Sequence, residues 1–383
     1  MKIQIDGTNS QNKGAELMLV AILQEIEKSY PKSKVYYNSL SDANIDYVPV
    51  KTSLELSTRK LIFGYKLNYY IVAVLNKLNL PLSLFTSKRV ISGVDVVLDG
   101  GGFQFSDQWN YSDKQLDRWE NYFRKLKKNG TKIILLPQAL GPFETPNGKR
   151  TVAIINKYAD VIIARDKISY EYVTTAGANK DKVWCYPDFS LTVSGVFPER
   201  FANVKGKVCV IPNKKMITHS TSNANEYFKF LENIVNTVEA TGRKVFLLNH
   251  EAKGDLELCY QINERFNNRL EIVTDLSSLE IKGVIGASYA VISSRFHGVA
   301  SALNQGIPCF ATGWNHKYEM LMKDFGQEKM MVNIANADDT LIKLNYLLDA
   351  NTNREIKEEL AMRKNKLLEL INEMWSRIWD KVK

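Results

Sequence analysis

The chain has 383 residues, 51 of them basic and 42 acidic, for a formal net charge of +9. With 45% apolar and 24% charged residues the composition is that of an ordinary globular protein, which excludes a largely disordered or fibrous chain. The four cysteines, Cys185, Cys209, Cys259 and Cys309, are far apart with no CxxC pair. That argues against a disulfide framework or a zinc knuckle and fits a reducing cytoplasm.

The chain opens on the strand-like run KIQID, without the basic start and apolar stretch of a signal peptide. No apolar run reaches the length of a membrane-spanning helix. Short β-branched runs then alternate with longer helical stretches, the pattern of α/β units around parallel sheets. The predicted strands are Lys2–Ile5, Lys34–Asn38, Asp95–Leu98, Lys132–Leu136 and Asp160–Ala164, then Lys207–Ile211, Lys244–Leu248, Ala290–Ser293 and Ile307–Ala311. A loop-rich stretch without clear period separates the two sets. The expected organisation is therefore a domain over 1–195, a second over 196–350 and a C-terminal helix over 351–383. In that helix Leu360, Leu367, Leu368, Ile371, Trp375, Ile378 and Trp379 recur at helical spacing.

The first strand runs into a polar loop between Gly7 and Gly14, and a helix opens at Gly14–Glu16. Asn12 and Glu16 suit sugar hydroxyls or simple capping. Neither GxGxxG nor GxxxxGK[ST] is present, so no dinucleotide or P-loop site is expected. Residues 51–94 hold seven basic side chains against Glu55, or +6. The interleaved rings and lysines of 60–91 suit either a membrane surface or a core-packed helix with snorkelling lysines. No nucleic-acid-binding motif accompanies this charge, so nucleic acid is not expected as a partner.

Chemistry-bearing residues gather at predicted strand ends, the edge where open α/β sheets bind ligands. In DVVLDGGGFQFSD, Asp99 and Asp107 flank the glycines Gly100–Gly102, and either carboxylate suits a general base or a hydroxyl acceptor. LLPQALGPF carries Gln138, and ARD carries Arg165. IPNKK places Lys214 and Lys215, LNHEAKGD places His250, and GWNHKYE places Lys317. The most pointed segment is AVISSRFHGVASALNQGIP. It sets Ser294, Arg295, His297 and Gly298 between a strand and the start of a helix, whose backbone N–H groups and dipole favour an anion. Arg295 adds a fork for phosphate or carboxylate, and His297 a group that exchanges protons near neutrality. No acidic or histidine cluster has metal-ligand spacing, so no metal is expected.

The ordered set NKGAE, DGGGF, LPQALGPF, ARD, PD (Pro187–Asp188), SSRFHG and Lys317 resembles the polysaccharide pyruvyl transferase family over about residues 5–325. The resemblance implies a GT-B-like α/β architecture, with two Rossmann-like domains facing a cleft and a C-terminal helix. It implies a transferase that moves the enolpyruvyl unit of phosphoenolpyruvate onto two hydroxyls of one sugar, giving a pyruvate ketal and phosphate, with no other cofactor. By resemblance, Arg295 and His297 match the donor-binding Arg-x-His motif, with His297 as acid or acid/base and Arg295 as anion clamp. Ser294, Gly298, Lys317, Lys214 and Lys215 join the donor side. Asp107, or Asp99 in its place, is the base. Asn12, Gly14, Glu16, Gly101, Gly102, Gln138, Arg165 and His250 are the acceptor or loop residues. The resemblance further suggests a polyprenyl-linked acceptor in surface-polysaccharide synthesis, met at the cytoplasmic membrane face through 51–94. Two other readings share these features: a GT-B glycosyltransferase using a nucleotide sugar, and a non-catalytic saccharide-binding subunit.

Overall fold

Strands covered on both faces need nearly unbroken apolar runs, and the runs picked out above supply them. The computed structural model describes residues 1–9, 12–37, 54–56, 93–218, 224–250, 252–313 and 317–383. The basic segment 51–94 therefore lies almost entirely outside the described residues. The chain divides into two units.

The first unit comprises Met1–Gln11, Met18–Asp188 and Met374–Lys383. Its strands are β1 (Lys2–Asp6), β2 (Lys34–Tyr37), β3 (Leu54–Leu56), β4 (Val96–Asp99), β5 (Lys132–Gln138), β6 (Val161–Ala164) and β7 (Val183–Cys185). They form one parallel seven-stranded sheet in the order β3-β2-β1-β4-β5-β6-β7. Helix α1 (Lys13–Ser29) follows β1, α2 (Asp113–Lys128) follows β4, α3 (Pro146–Tyr158) follows β5 and α4 (Lys167–Thr175) follows β6. One face of the sheet, with Val97, Ile133 and Ile162, packs on Leu116, Phe123 and Leu126 of α2 and Ile155 of α3. Helix α3 starts where it does because Pro146 occupies its first turn and Thr145 accepts the Gly148 N–H. Asp166 caps α4 in the same way.

The second unit comprises Asn12–Leu17 and Phe189–Glu373. Its strands are β8 (Val208–Ile211), β9 (Val245–Leu248), β10 (Glu271–Val273), β11 (Ala290–Ser293) and β12 (Cys309–Ala311), parallel in the order β10-β9-β8-β11-β12. The helices are α5 (Ala224–Ala240), α6 (Ala252–Glu264), α7 (Ser278–Gly286), α8 (Phe296–Asn304), α9 (Lys317–Asp324), α10 (Ala337–Leu348) and α11 (Ala350–Val382).

The division of the chain falls at Asp188/Phe189, and the last turns of α11 belong to the first unit. There Trp379 Nε1 donates to Glu25 and Arg377 to the Tyr186 hydroxyl. The three strands that periodicity did not single out, β3, β7 and β10, are each three residues long and lie at sheet edges. So short a run carries little pattern of its own, and pairing with an inner neighbour defines it. Among the described residues no helix is long and apolar enough to cross a membrane.

Strand order reverses between β1 and β4 in the first sheet and between β8 and β11 in the second. Just beyond the carboxyl ends of such strands is where open α/β sheets hold ligands. The first reversal brings Asp6 opposite Asp99. The second brings Ile211 opposite Ser293, one residue before the SRFHG segment.

Candidate functional site

The segment after β11 is held by a dense set of hydrogen bonds. The Ser293 hydroxyl accepts from the Arg295 N–H and donates back to the Arg295 carbonyl. The Ser294 carbonyl accepts from Asn213 Nδ2 at 2.7 Å and from the Tyr318 hydroxyl at 3.0 Å. The Ser294 hydroxyl accepts from Tyr227, whose own oxygen receives the Asn213 N–H. Burial pushes the Tyr227 hydroxyl far up, so it stays a neutral donor. Ser294 is thus a buried strut rather than an open ligand group. Gly298 is required by space: a Cβ there would lie 2.6 Å from Ser293 Oγ and 2.9 Å from Ile211 Cδ1. Arg295 is the N-cap of α8, and its own side chain makes no capping bond.

Arg295 is gripped from outside its own segment. Its Nε and Nη2 each donate at 2.7 Å to the carboxylate of Asp255 in the first turn of α6. Asp255 is buried and also accepts the Lys214 N–H. The fork pairing fixes the guanidinium plane. Lys214 is exposed, with Nζ 3.5 Å from Glu257, and Lys215 is exposed with its N–H on Asn213 Oδ1. Lys317 opens α9. His250, two residues beyond β9, is buried, and its Nδ1 has no hydrogen-bond partner among the described residues. Burial, and then the charges of His297, Arg295 and Lys13, hold its pKa well below the usual histidine range.

The start of α1 belongs to this same unit. Asn12 Oδ1 accepts from the N–H groups of Gly14 and Ala15, an N-cap, and Glu16 is buried with Lys13 Nζ 3.2 Å away. Gly14 packs directly on His297: a Cβ at position 14 would lie 2.1 Å from His297 Cε1. On its other side the His297 ring meets Phe296 edge-on at 5.3 Å. His297 is half-buried. Arg295, His297, His250 and the α1 start thus fall in one unit, though they were read from three separated segments.

At the strand ends of the first unit, Asp99 is buried, with Oδ1 accepting the Gly101 N–H at 3.0 Å. Gly7, at φ 77°, passes so close that a Cβ would lie 2.3 Å from that oxygen. Burial and the Asp99 charge push the Tyr111 hydroxyl up to about 12. Gly101 and Gly102 face Gln104 and Met18 respectively, with no room for large side chains. Asp6 accepts from Tyr122 and from Gln4 Nε2. Gln138 is buried with neither amide atom partnered among the described residues. Arg165 lies 3.9 Å from Asp188 and 4.0 Å from Asp166.

Asp107 is placed differently. Its carboxylate accepts from the Glu144 N–H, the Thr145 N–H and the Thr145 hydroxyl, tying its loop to the start of α3. Asp107→Ala should therefore lower the unfolding free energy by about 1–2 kcal/mol, read as a urea midpoint. An unchanged midpoint would contradict the anchoring role.

Sequence reasoning passed over Asp255, Asn213, Tyr227, Tyr318 and Asp6. Asp255 and Asn213 were visible inside LNHEAKGD and IPNKK, but nothing local says which partner each meets. The two tyrosines carried no signal, since an aromatic at a helical position usually means core.

A family model for polysaccharide pyruvyl transferase matches residues 12–316. The whole chain is also similar to solved structures. The Anabaena protein HepE, solved with UDP and glucose, superposes with a TM-score of 0.60 at 12% identity, covering 98% of each chain. The UDP-GlcNAc 2-epimerase of Neisseria meningitidis superposes with a TM-score of 0.58 at 11% identity, covering 97% of this chain and all of that one. At such identities the likeness concerns the fold, an α/β architecture of the GT-B kind with two Rossmann-like domains. The family match runs through NKGAE, DGGGF, ARD and SSRFHG, the segments that carry the strand-end residues above, and the chain belongs to the polysaccharide pyruvyl transferase family.

Proposed function

We propose that the protein transfers the pyruvyl unit of phosphoenolpyruvate to two hydroxyls of one sugar, forming a pyruvate ketal during surface-polysaccharide synthesis. The observation that supports this most is the turn after β11. There a half-buried histidine stands two residues from an arginine whose plane is set by a buried carboxylate. A small dense anion is suited to such a turn at a helix start.

In this reading Arg295 and the start of α8 bind the donor's carboxylate and phosphate. His297 gives a proton to the methylene carbon, which becomes the methyl group, and C2 becomes oxocarbenium-like. A sugar hydroxyl attacks C2 and gives up its proton to a carboxylate. Asp99, at the β4 end where the strand order reverses, is proposed for that base, with Asp107, which ties its loop to the start of α3, as the alternative. Phosphate then leaves with the proton held by that carboxylate, the second hydroxyl closes the ring on C2, and the proton it releases restores His297.

The test is incubation with phosphoenolpyruvate and a panel of hexosyl and N-acetylhexosaminyl acceptors, following phosphate release and a mass gain of one pyruvate less one water. Turnover with a nucleotide sugar and none with phosphoenolpyruvate would overturn the reading. It would favour a glycosyltransferase, an alternative prompted by the UDP held by HepE. Intact function in cells after Arg295→Ala and His297→Ala would instead favour a non-catalytic saccharide-binding subunit.

The same reading places the acceptor on a polyprenyl carrier at the cytoplasmic face of the membrane, with the +6 of residues 51–94 meeting lipid phosphate. Charge reversal at Lys60, Lys66 and Lys77 should weaken co-sedimentation with anionic vesicles and leave phosphoenolpyruvate binding unchanged. A fall in donor binding would show that this charge serves the donor instead.

A further inference from the structure

We infer that donor binding is proton-linked through His250: the imidazole takes up one proton as the anion arrives and donates it, from Nδ1, in a hydrogen bond to the anion. The inference rests on the phosphoenolpyruvate reading above and adds to it a binding residue and a pH dependence.

The geometry comes first. His250 follows β9, the strand beside β8, at the same carboxyl edge as Asn213 and the SRFHG turn. It is 4% exposed, and Nδ1 is buried without a hydrogen-bond partner among the described residues. A buried ring nitrogen left unmet is costly and calls for a partner. The groups whose charges act on it are Arg295 and His297 of the α8 turn and Lys13 of α1. Among the described residues, Asp255 of α6 is engaged with Arg295 and Glu16 of α1 with Lys13. In the free protein burial, and then the charges of His297, Arg295 and Lys13, disfavour a proton on His250, and the ring stays neutral.

A bound trianion reverses that field. Phosphoenolpyruvate brings a carboxylate and a phosphate, so the same burial that kept His250 neutral now favours its charged form. The proton comes from solvent, no covalent bond changes, and the net reaction is uptake of one proton per donor bound. Donor affinity should accordingly fall as pH rises from the free ring's depressed pKa to the pKa of the ring in the complex, beyond any change owed to the ligand itself.

The experiment is calorimetric titration of phosphoenolpyruvate into wild type and His250→Asn. It uses buffers of different ionisation enthalpy at a mildly alkaline pH where the free ligand is fully ionised. Wild type should take up close to one proton more per ligand than His250→Asn, which should bind about ten- to a hundredfold more weakly. Equal affinity and equal uptake in the two proteins would overturn the role of His250 and leave the donor reading standing. Absence of phosphoenolpyruvate binding to wild type would overturn both. Should the variant not fold, the ring nitrogens of His250 in wild type decide the matter by NMR, with only four histidines to assign. A ring that goes from neutral to cationic on adding phosphoenolpyruvate supports the inference, and a ring that stays neutral in the saturated complex refutes it.

Discussion

Asp255→Ala should lower the unfolding free energy by about 3–5 kcal/mol and abolish donor binding. The carboxylate it removes is buried and holds two guanidinium nitrogens of Arg295 and the Lys214 N–H. Taking away one member of a buried pair leaves the other charge desolvated and unmatched, and that is where the cost arises. The second effect follows from the first, because a guanidinium without its fork partner is no longer held in one plane beside the α8 start. Urea denaturation measures the stability, and thermal shift with phosphoenolpyruvate measures the binding. The Asp255→Ala, Arg295→Ala and double variants close a cycle in which the double should be far less damaging than the sum of the singles. Additive losses would mean that the two side chains do not act as a pair. Asp255→Asn keeps an acceptor in place and should lose less.

His297→Ala should reduce turnover by 10²–10⁴, the contribution usual for a general acid, with little effect on stability. Gly14→Ala should do nearly the same without touching a titratable group. A methyl at position 14 would sit 2.1 Å from His297 Cε1, so the ring must leave its place against the α1 start. Combining the two substitutions should be no worse than His297→Ala alone, because the alanine at 297 removes what the methyl at 14 would strike. Multiplying losses in the double variant would show that Gly14 acts on something other than His297. Circular dichroism and the urea midpoint separate a displaced ring from a disturbed helix.

Much of the fold was legible because parallel strands enclosed by helices leave a local mark. Runs such as VVL, IILL and VIIA have no polar residue to spare for solvent, and they are strands at close to the predicted bounds. The long helix α11 was legible for a related reason, since Leu360, Ile371, Trp375 and Ile378 repeat on the stripe that is buried. The edge strands β3, β7 and β10 were not, whereas the equally short edge strand β12 was, because it ends the apolar run Ile307–Ala311.

The site divides along the same line. The Ser-Arg-Phe-His-Gly turn is a local construction, a strand end, a serine bracket on the backbone and a helix start. Its position and residue types could be read directly from the sequence. What those side chains meet depends on contacts that the chain closes from a distance. Arg295 finds Asp255 at a separation of 40 residues, and His297 finds Gly14 across most of the chain. What Asp107 meets depends on the same kind of contact, since only the folded chain brings Thr145 onto Asp107.

The sequence by itself determined the parallel α/β class, the strands of the sheet interiors and the Ser-Arg-Phe-His-Gly turn between a strand and a helix start. All of these follow from neighbours a few residues apart. The tertiary structure decided which groups are locked in pairs, what the Asp107 carboxylate ties together, and that the start of α1 groups with the second unit and the end of α11 with the first. Those outcomes follow from packing and from the cost of burying an unmatched charge, and neither is set until distant segments meet.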